Sequence, residues 1–100
     1  VEALSVQTLI PLGISVNEMI TNSIKYAFTD EHENPKIRIR LNQQNGNYIL
    51  TYQDNGIGFA SHFKSDSFGM ELIETILEQI DGKLEKEEDT DWSTHLNIRF

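Results

Sequence analysis

Apolar residues recur along this chain with two different periods. Between about Thr8 and Phe28 they fall at Leu12, Val16, Met19, Ile20, Ile24 and Ala27, spacings that predict one amphipathic helix. The polar run Thr29-Asp30-Glu31-His32-Glu33-Asn34-Pro35 ends it. Ile37, Ile39 and Leu41 then alternate with Lys36, Arg38 and Arg40, the period-two pattern of a half-buried strand. Gln43-Gln44-Asn45-Gly46 carries an Asn-Gly hairpin signal, and Tyr48 to Gln53 return as a second strand. A glycine-punctuated turn, Asp54-Asn55-Gly56-Ile57-Gly58-Phe59, and a polar loop to about Ser67 follow. They lead into a second amphipathic helix with Met70, Leu72, Ile73, Ile76, Leu77 and Ile80 on its buried side. Asp81-Gly82 stops that helix, with the glycine as its left-handed terminator. Lys83 to Glu88 reads as a third strand, its exit crowded by acidic residues from Glu85 to Asp91. In the last strand Trp92, Thr94, Leu96, Ile98 and Phe100 alternate with Ser93, His95, Asn97 and Arg99.

Helix, strand, strand, helix, strand, strand is the order of an α+β two-layer sandwich, with helices on one face of a mixed, mostly antiparallel sheet. Nothing repeats and no Pro/Gly/Ser linker divides the chain, so residues 1–100 are expected to form one domain. Pro11 and Pro35 sit near the expected element starts, where a missing N–H costs little. An apolar content of 38% supports a single packed core.

Charge and cysteine content narrow the function. Sixteen acidic against eight basic residues give a net charge of −8, which disfavours nucleic acid or an anionic membrane surface as partner. With no cysteine there is no disulfide, no thiolate zinc site and no cysteine nucleophile. No apolar run approaches the roughly 18 residues of a membrane span. A chain opening on Val1 is expected to be part of a larger cytoplasmic protein, one whose full length leaves membrane anchoring open.

Some residues go beyond what a core needs. Glu18, Asn22 and Lys25 are spaced i, i+4 and i+7, stacking a carboxylate, an amide and an ammonium along one helical line. A carboxylate with an amide oxygen suits Mg²⁺, which takes few protein oxygens and completes its shell with phosphate and water. Lys25 is then a point charge for a phosphate oxygen. The same triplet also makes a solvated helix face. Asp54-x-Gly56-x-Gly58 follows a strand directly. A buried Asp there accepts from an exocyclic amine and rejects a carbonyl, while glycines permit close ligand approach. An Asx-capped turn needs the same residues. Neither a dinucleotide fingerprint nor a Walker loop is present. Ser67-Phe68-Gly69-Met70 opens the second helix, where free N–H groups and the helix dipole favour phosphate. Thr94 on the last strand is in reach of a water shared with Asp54.

These stretches, in this order, resemble the nucleotide-binding fold shared by DNA gyrase, the chaperone Hsp90, MutL and sensor histidine kinases, the GHKL or Bergerat-fold ATPases. Asn17-Glu18-Met19-Ile20-Thr21-Asn22-Ser23-Ile24-Lys25-Tyr26 is similar to the N box, Asp54-Asn55-Gly56-Ile57-Gly58 to the G1 box, and Phe68-Gly69-Met70 to a reduced G2 box. Ser93 to Phe100 resembles the family's Gly-Thr-x-Phe strand, with Ser93 in the glycine's place. Lys25-Tyr26 after the box asparagine, and the compact length, resemble histidine kinases most. The resemblance implies ATP and Mg²⁺ as ligands. Asn22 would hold Mg²⁺, Asp54 would read the adenine amine, and Gly56 and Gly58 would let the backbone meet the base. Lys25 and Tyr26 would face phosphates or ribose, Gly69 would mark the return of the ATP lid, and Glu18 would polarise the attacking group.

The lid between Gly58 and Ser67 is short, with Lys64 its single cation. His32, His62 and His95 are expected at the surface, none of them in a helix beside an acidic neighbour as a phosphoacceptor would be. The implied function is γ-phosphoryl transfer from ATP to a histidine on a separate dimerisation domain upstream, and from there to a response regulator. A serine kinase of the anti-sigma type and a non-catalytic interaction module on the same fold are the alternatives. The chain alone is expected not to phosphorylate itself.

Overall fold

The computed structural model describes residues 5–29, 33–57, 69–89 and 91–100, without the side chains of 69 and 70. Helix α1 spans Val6–Asn22 and starts where the Ser5 side chain accepts from the Thr8 N–H. Pro11 lies inside it and not at its start, so it gives no N–H to the helical ladder there. The helix does not run on unchanged to Phe28. Residues Ser23–Ala27 form a π turn, closed by the Phe28 N–H donating to the Ser23 carbonyl five residues back, at 3.0 Å. Ile24, expected in the core, lies about 140° round the helix from buried Met19 and stands 64% exposed.

Strands β1 (Ile37–Gln44) and β2 (Asn47–Asp54) form a hairpin in which Asn45 and Gly46 both take positive φ, 53° and 83°, as a type I′ turn requires. Helix α2 covers Gly69–Glu78. Its stop uses the expected dipeptide differently. Asp81 is the left-handed residue, φ 53°, and Gly82 donates its N–H to the Leu77 carbonyl at 2.8 Å, closing a Schellman motif. Strand β3 is shorter than expected, Lys83–Lys86, and β4 is Thr94–Arg99. Trp92 therefore precedes the last strand, and its ring packs over the Arg38 guanidinium, 4.9 Å from the centroid.

The sheet order is β1-β2-β4-β3, and every pairing among the described residues is antiparallel. Alternation along the strands divides its two faces. Leu50 and Tyr52 on β2 and Leu96 and Ile98 on β4 turn to the helices, where Leu12 and Met19 of α1 and Ile73 and Leu77 of α2 complete the core. Edge strand β1 is poorly covered, and Ile39 and Leu41, expected half-buried, are 40% and 46% exposed. The other face is polar. There Arg38, Gln53 and His95 sit side by side across three strands, with Arg38 Nε donating to Gln53 Oε1 at 2.7 Å. His95 is not the free surface residue its parity predicts. Its side chain is 12% exposed, with Nε2 2.9 Å from a Glu87 carboxylate oxygen and Nδ1 2.8 Å from Asp89.

One close approach ties the turn after β2 to the helix layer. A Cβ added to Gly56 would lie 2.5 Å from the Ala27 carbonyl oxygen and 2.6 Å from its Cβ. The same carbonyl accepts from the Ile57 N–H at 2.9 Å.

Thermal or denaturant unfolding should separate these features. Ile73→Ala is expected to cost about 2–5 kcal/mol, and Ile24→Ala within about 0.5 kcal/mol. Equal costs would place Ile24 in the core. Gly56→Ala should destabilise by roughly 1–3 kcal/mol, because backbone, not a side-chain tip, must give way. A neutral Gly56→Ala would show that the contact is looser than described. Asp89 is held below the usual carboxylate range, chiefly by the Asp91 backbone N–H and then by His95. The folded state then binds this proton less readily than the unfolded chain. The contribution is complete above about pH 5 and fades as the pH falls through the depressed folded value. Asp89→Asn should flatten the acid side of the stability profile, whereas an unchanged slope would remove Asp89 from that role.

Candidate functional site

The apolar rows of the core end in polar residues at one end of the molecule. On β2 the helix-facing series runs Leu50, Tyr52, Asp54, and on β4 it runs Ile98, Leu96, Thr94. Asp54 and Thr94 are direct cross-strand partners, and both are fully buried. Asn22 and Ser23, at the junction of α1 with the π turn, are buried as well. The helix layer thus meets the sheet through hydrogen-bonding groups at this end and through hydrocarbon elsewhere.

Asp54 is the hub. Its Oδ2 accepts from the Ser23 hydroxyl at 2.8 Å, and its Oδ1 accepts from the Gly56 N–H at 3.0 Å, so the Asx turn the sequence allowed is present. Ser23 is also hydrogen-bonded to the Tyr52 hydroxyl, which lies 3.0 Å from the Met19 carbonyl and donates to it. Burial pushes the Tyr52 phenol well above the usual tyrosine range; the Asp54 charge adds to this and the Ser23 bond offsets part of it. Tyr52 is therefore a protonated donor throughout the physiological range.

The turn itself is held from both sides. Asn55 accepts from the Lys36 N–H at 2.7 Å and donates to the Asn34 carbonyl at 3.0 Å. The Ser93 hydroxyl bonds the Gly56 carbonyl at 2.5 Å. The absent side chain of Gly56 makes room for Ala27, a backbone neighbour within the fold.

Two polar atoms here are left over. Asn22 Nδ2 and Thr94 Oγ1 are buried without a hydrogen-bond partner among the described residues. Such groups are costly to bury unless something polar meets them. Asn22 is not on a solvated helix face; it is buried on the same side of α1 as Met19. Glu18, one turn before Asn22, and Tyr26 are half-buried, while Lys25 is exposed. Gly69 opens α2. Gly58, His32, His62 and the loop carrying Lys64, Ser67 and Phe68 lie outside the described residues. Among the described residues no cluster of His, Cys, Asp or Glu could hold a metal ion by itself. A cation here would need an amide and a ligand's own oxygens.

Sequence reasoning brought together Asn22, Asp54, Gly56 and Thr94, and the fold sets them at one end. It missed Ser23, Tyr52, Asn55 and Ser93. The signal for Tyr52 was available, since strand alternation puts residue 52 on the same face as Asp54.

No curated protein sequence gives a significant match to the chain. Among solved structures it is similar to the histidine kinase domain of the blue-light activated histidine kinase EL346 from Erythrobacter litoralis. That likeness has a TM-score of 0.77 at 21% identity, over 97% of this chain and 46% of the other. A second structure of that kinase gives a TM-score of 0.70 at 20% identity, over 90% of this chain and 29% of the other. The Acinetobacter baumannii histidine kinase AdeS gives 0.67 at 21% identity, over 90% and 45%. The chain therefore spans less than half the length of each of these structures. A family model, the histidine kinase-, DNA gyrase B- and HSP90-like ATPases, matches residues 9–100. A match over nearly the whole chain, on a sheet and helix layer arranged as in those structures, makes this chain a member of the histidine kinase-, DNA gyrase B- and HSP90-like ATPase family.

Proposed function

We propose that residues 1–100 are the catalytic, ATP-binding domain of a sensor histidine kinase, with Mg-ATP bound at the polar end of the core. The observation that carries this reading is the buried group of Asp54, Asn22 and Thr94, an acceptor carboxylate flanked by unpartnered polar atoms. Asp54 can only accept while ionised, so it suits the 6-amino group of adenine and leaves a 6-oxo group opposed by a carboxylate. Thr94, paired with Asp54, has a hydroxyl free for the same base or a bridging water. The unpartnered Asn22 amide fits a phosphate oxygen or the water shell of Mg²⁺, and its own oxygen would be the protein ligand. Lys25, exposed within the π turn, and Tyr26 would meet phosphate or ribose, and in sequence Gly58 and Gly69 bound the lid. When bound, Mg²⁺ supplies neutralisation of phosphate charge.

In the transfer itself the bond from the γ-phosphorus to the bridging oxygen breaks as a bond to an imidazole nitrogen forms, leaving ADP. Glu18 is placed one helical turn before Asn22 to take up the proton that the imidazole gives up. His95 is excluded as acceptor, because it projects from the opposite face of the sheet between Glu87 and Asp89. On this reading the acceptor histidine is one on a separate dimerisation domain, from which a response regulator takes the phosphoryl group. The names of the similar structures favour this reading over a serine kinase on the same fold.

Calorimetric titration tests the site. Asp54→Asn should weaken Mg-ATP binding by roughly 10- to 100-fold, the worth of a hydrogen bond to a charged group. Asn22→Ala should remove the Mg²⁺ dependence of ATP binding. ATP binding unchanged by Asp54→Asn, or a Mg²⁺ dependence unchanged by Asn22→Ala, would overturn the respective assignment.

A further inference from the structure

The two hydroxyls behind Asp54 have only two protons between them, yet they make at least three contacts. Ser23 Oγ is 2.8 Å from Asp54 Oδ2, Tyr52 Oη is 3.0 Å from the Met19 carbonyl, and the two hydroxyls bond to each other. An ionised carboxylate and a peptide carbonyl both accept only. The Ser23 proton must therefore go to Asp54, and the Tyr52 proton is shared between Ser23 Oγ and the Met19 carbonyl. The chain has one polarity, from Tyr52 through Ser23 to Asp54. All three side chains are fully buried, so water does not compete for these bonds. Helix and strand both take part: Met19 and Ser23 come from the helix layer, Tyr52 and Asp54 from β2.

We propose that Ser23 and Tyr52 are positioning residues for base selection, their hydroxyl chain fixing the Asp54 carboxylate as an outward acceptor that favours a 6-aminopurine over a 6-oxopurine nucleotide. This deepens the reading above and rests on it, since it takes Asp54 to be the base-reading group. Ser23 fills one side of Oδ2 and the Gly56 N–H one side of Oδ1. Two donors from different elements thereby hold the carboxylate in one rotamer. Without Ser23 the carboxylate loses a charge-assisted bond and can rotate, so an amine ligand gains less from it. Tyr52 acts one step further back. Its donation polarises the Ser23 hydroxyl, and its bond to the Met19 carbonyl fixes the distance between helix and strand.

The test compares ATP with ITP, which carries an oxo group where ATP carries the 6-amine. Calorimetry on the full chain should give a clear preference for ATP. Ser23→Ala should reduce the ATP-to-ITP affinity ratio by roughly tenfold, through weaker ATP binding with ITP unchanged. Tyr52→Phe, which removes one oxygen and little volume, should reduce it in the same direction by a smaller factor. A purely structural role would lower the thermal midpoint of these variants and leave the ratio unmoved. That result, together with an Asp54→Asn variant that loses the preference, would overturn the proposal while keeping Asp54 as the reader. A ratio unchanged by Asp54→Asn itself would overturn both. Should Ser23→Ala fail to fold, the ratio measured for Tyr52→Phe decides alone.

Discussion

A buried carboxylate bonded across the layer boundary sets the geometry of this domain. Asp54 ends β2 on the helix-facing side, and its partner Ser23 lies where α1 gives way to the π turn. An ion in that position is tolerated only when its hydrogen bonds are supplied by neighbours held in place. The Asn55 staple to the segment before β1, the Ser93 bond to Gly56 and the seating of Gly56 on Ala27 all hold the turn that follows Asp54. Helix-sheet spacing, turn conformation and carboxylate orientation are thereby one problem with one solution.

The sheet divides labour between its faces. The helix side is hydrocarbon over most of its length and becomes polar at one end, which is where a ligand can find both a dry environment and directed donors and acceptors. The open side carries Arg38, Gln53 and His95 in one transverse row, with Glu87 and Asp89 against His95 and Trp92 against Arg38.

What could be read in advance depended on range. Strand alternation and the Asn45-Gly46 turn are local, and they placed the hairpin, the core-facing rows and Asp54 correctly. The box asparagine and the Asp-x-Gly-x-Gly turn were legible as motifs. Ser23 was not, because a serine among helical apolar positions shows no sign of the strand it will meet, and its value lies wholly in Asp54. Ile24 and Trp92 were misplaced for a related reason. Periodicity extrapolates a regular element, and both residues sit just where regularity stops, in the π turn and ahead of β4. His95 obeyed its strand parity, yet it is half-buried by acidic residues that leave β3, a contact no alternation rule contains.

The π turn bears on how this chain can change length. A five-residue hydrogen-bonded step amounts to one residue added to an α-helix, and it is what carries the chain from buried Ser23 to the Ala27 carbonyl that receives Ile57. Losing a single residue there would restore an unbroken α ladder and make the helix locally more regular. It would also turn everything beyond the deletion by about 100° about the axis, taking Ala27 away from Gly56. Replacing exposed Ile24 leaves that geometry alone, but changing the number of residues in the segment does not.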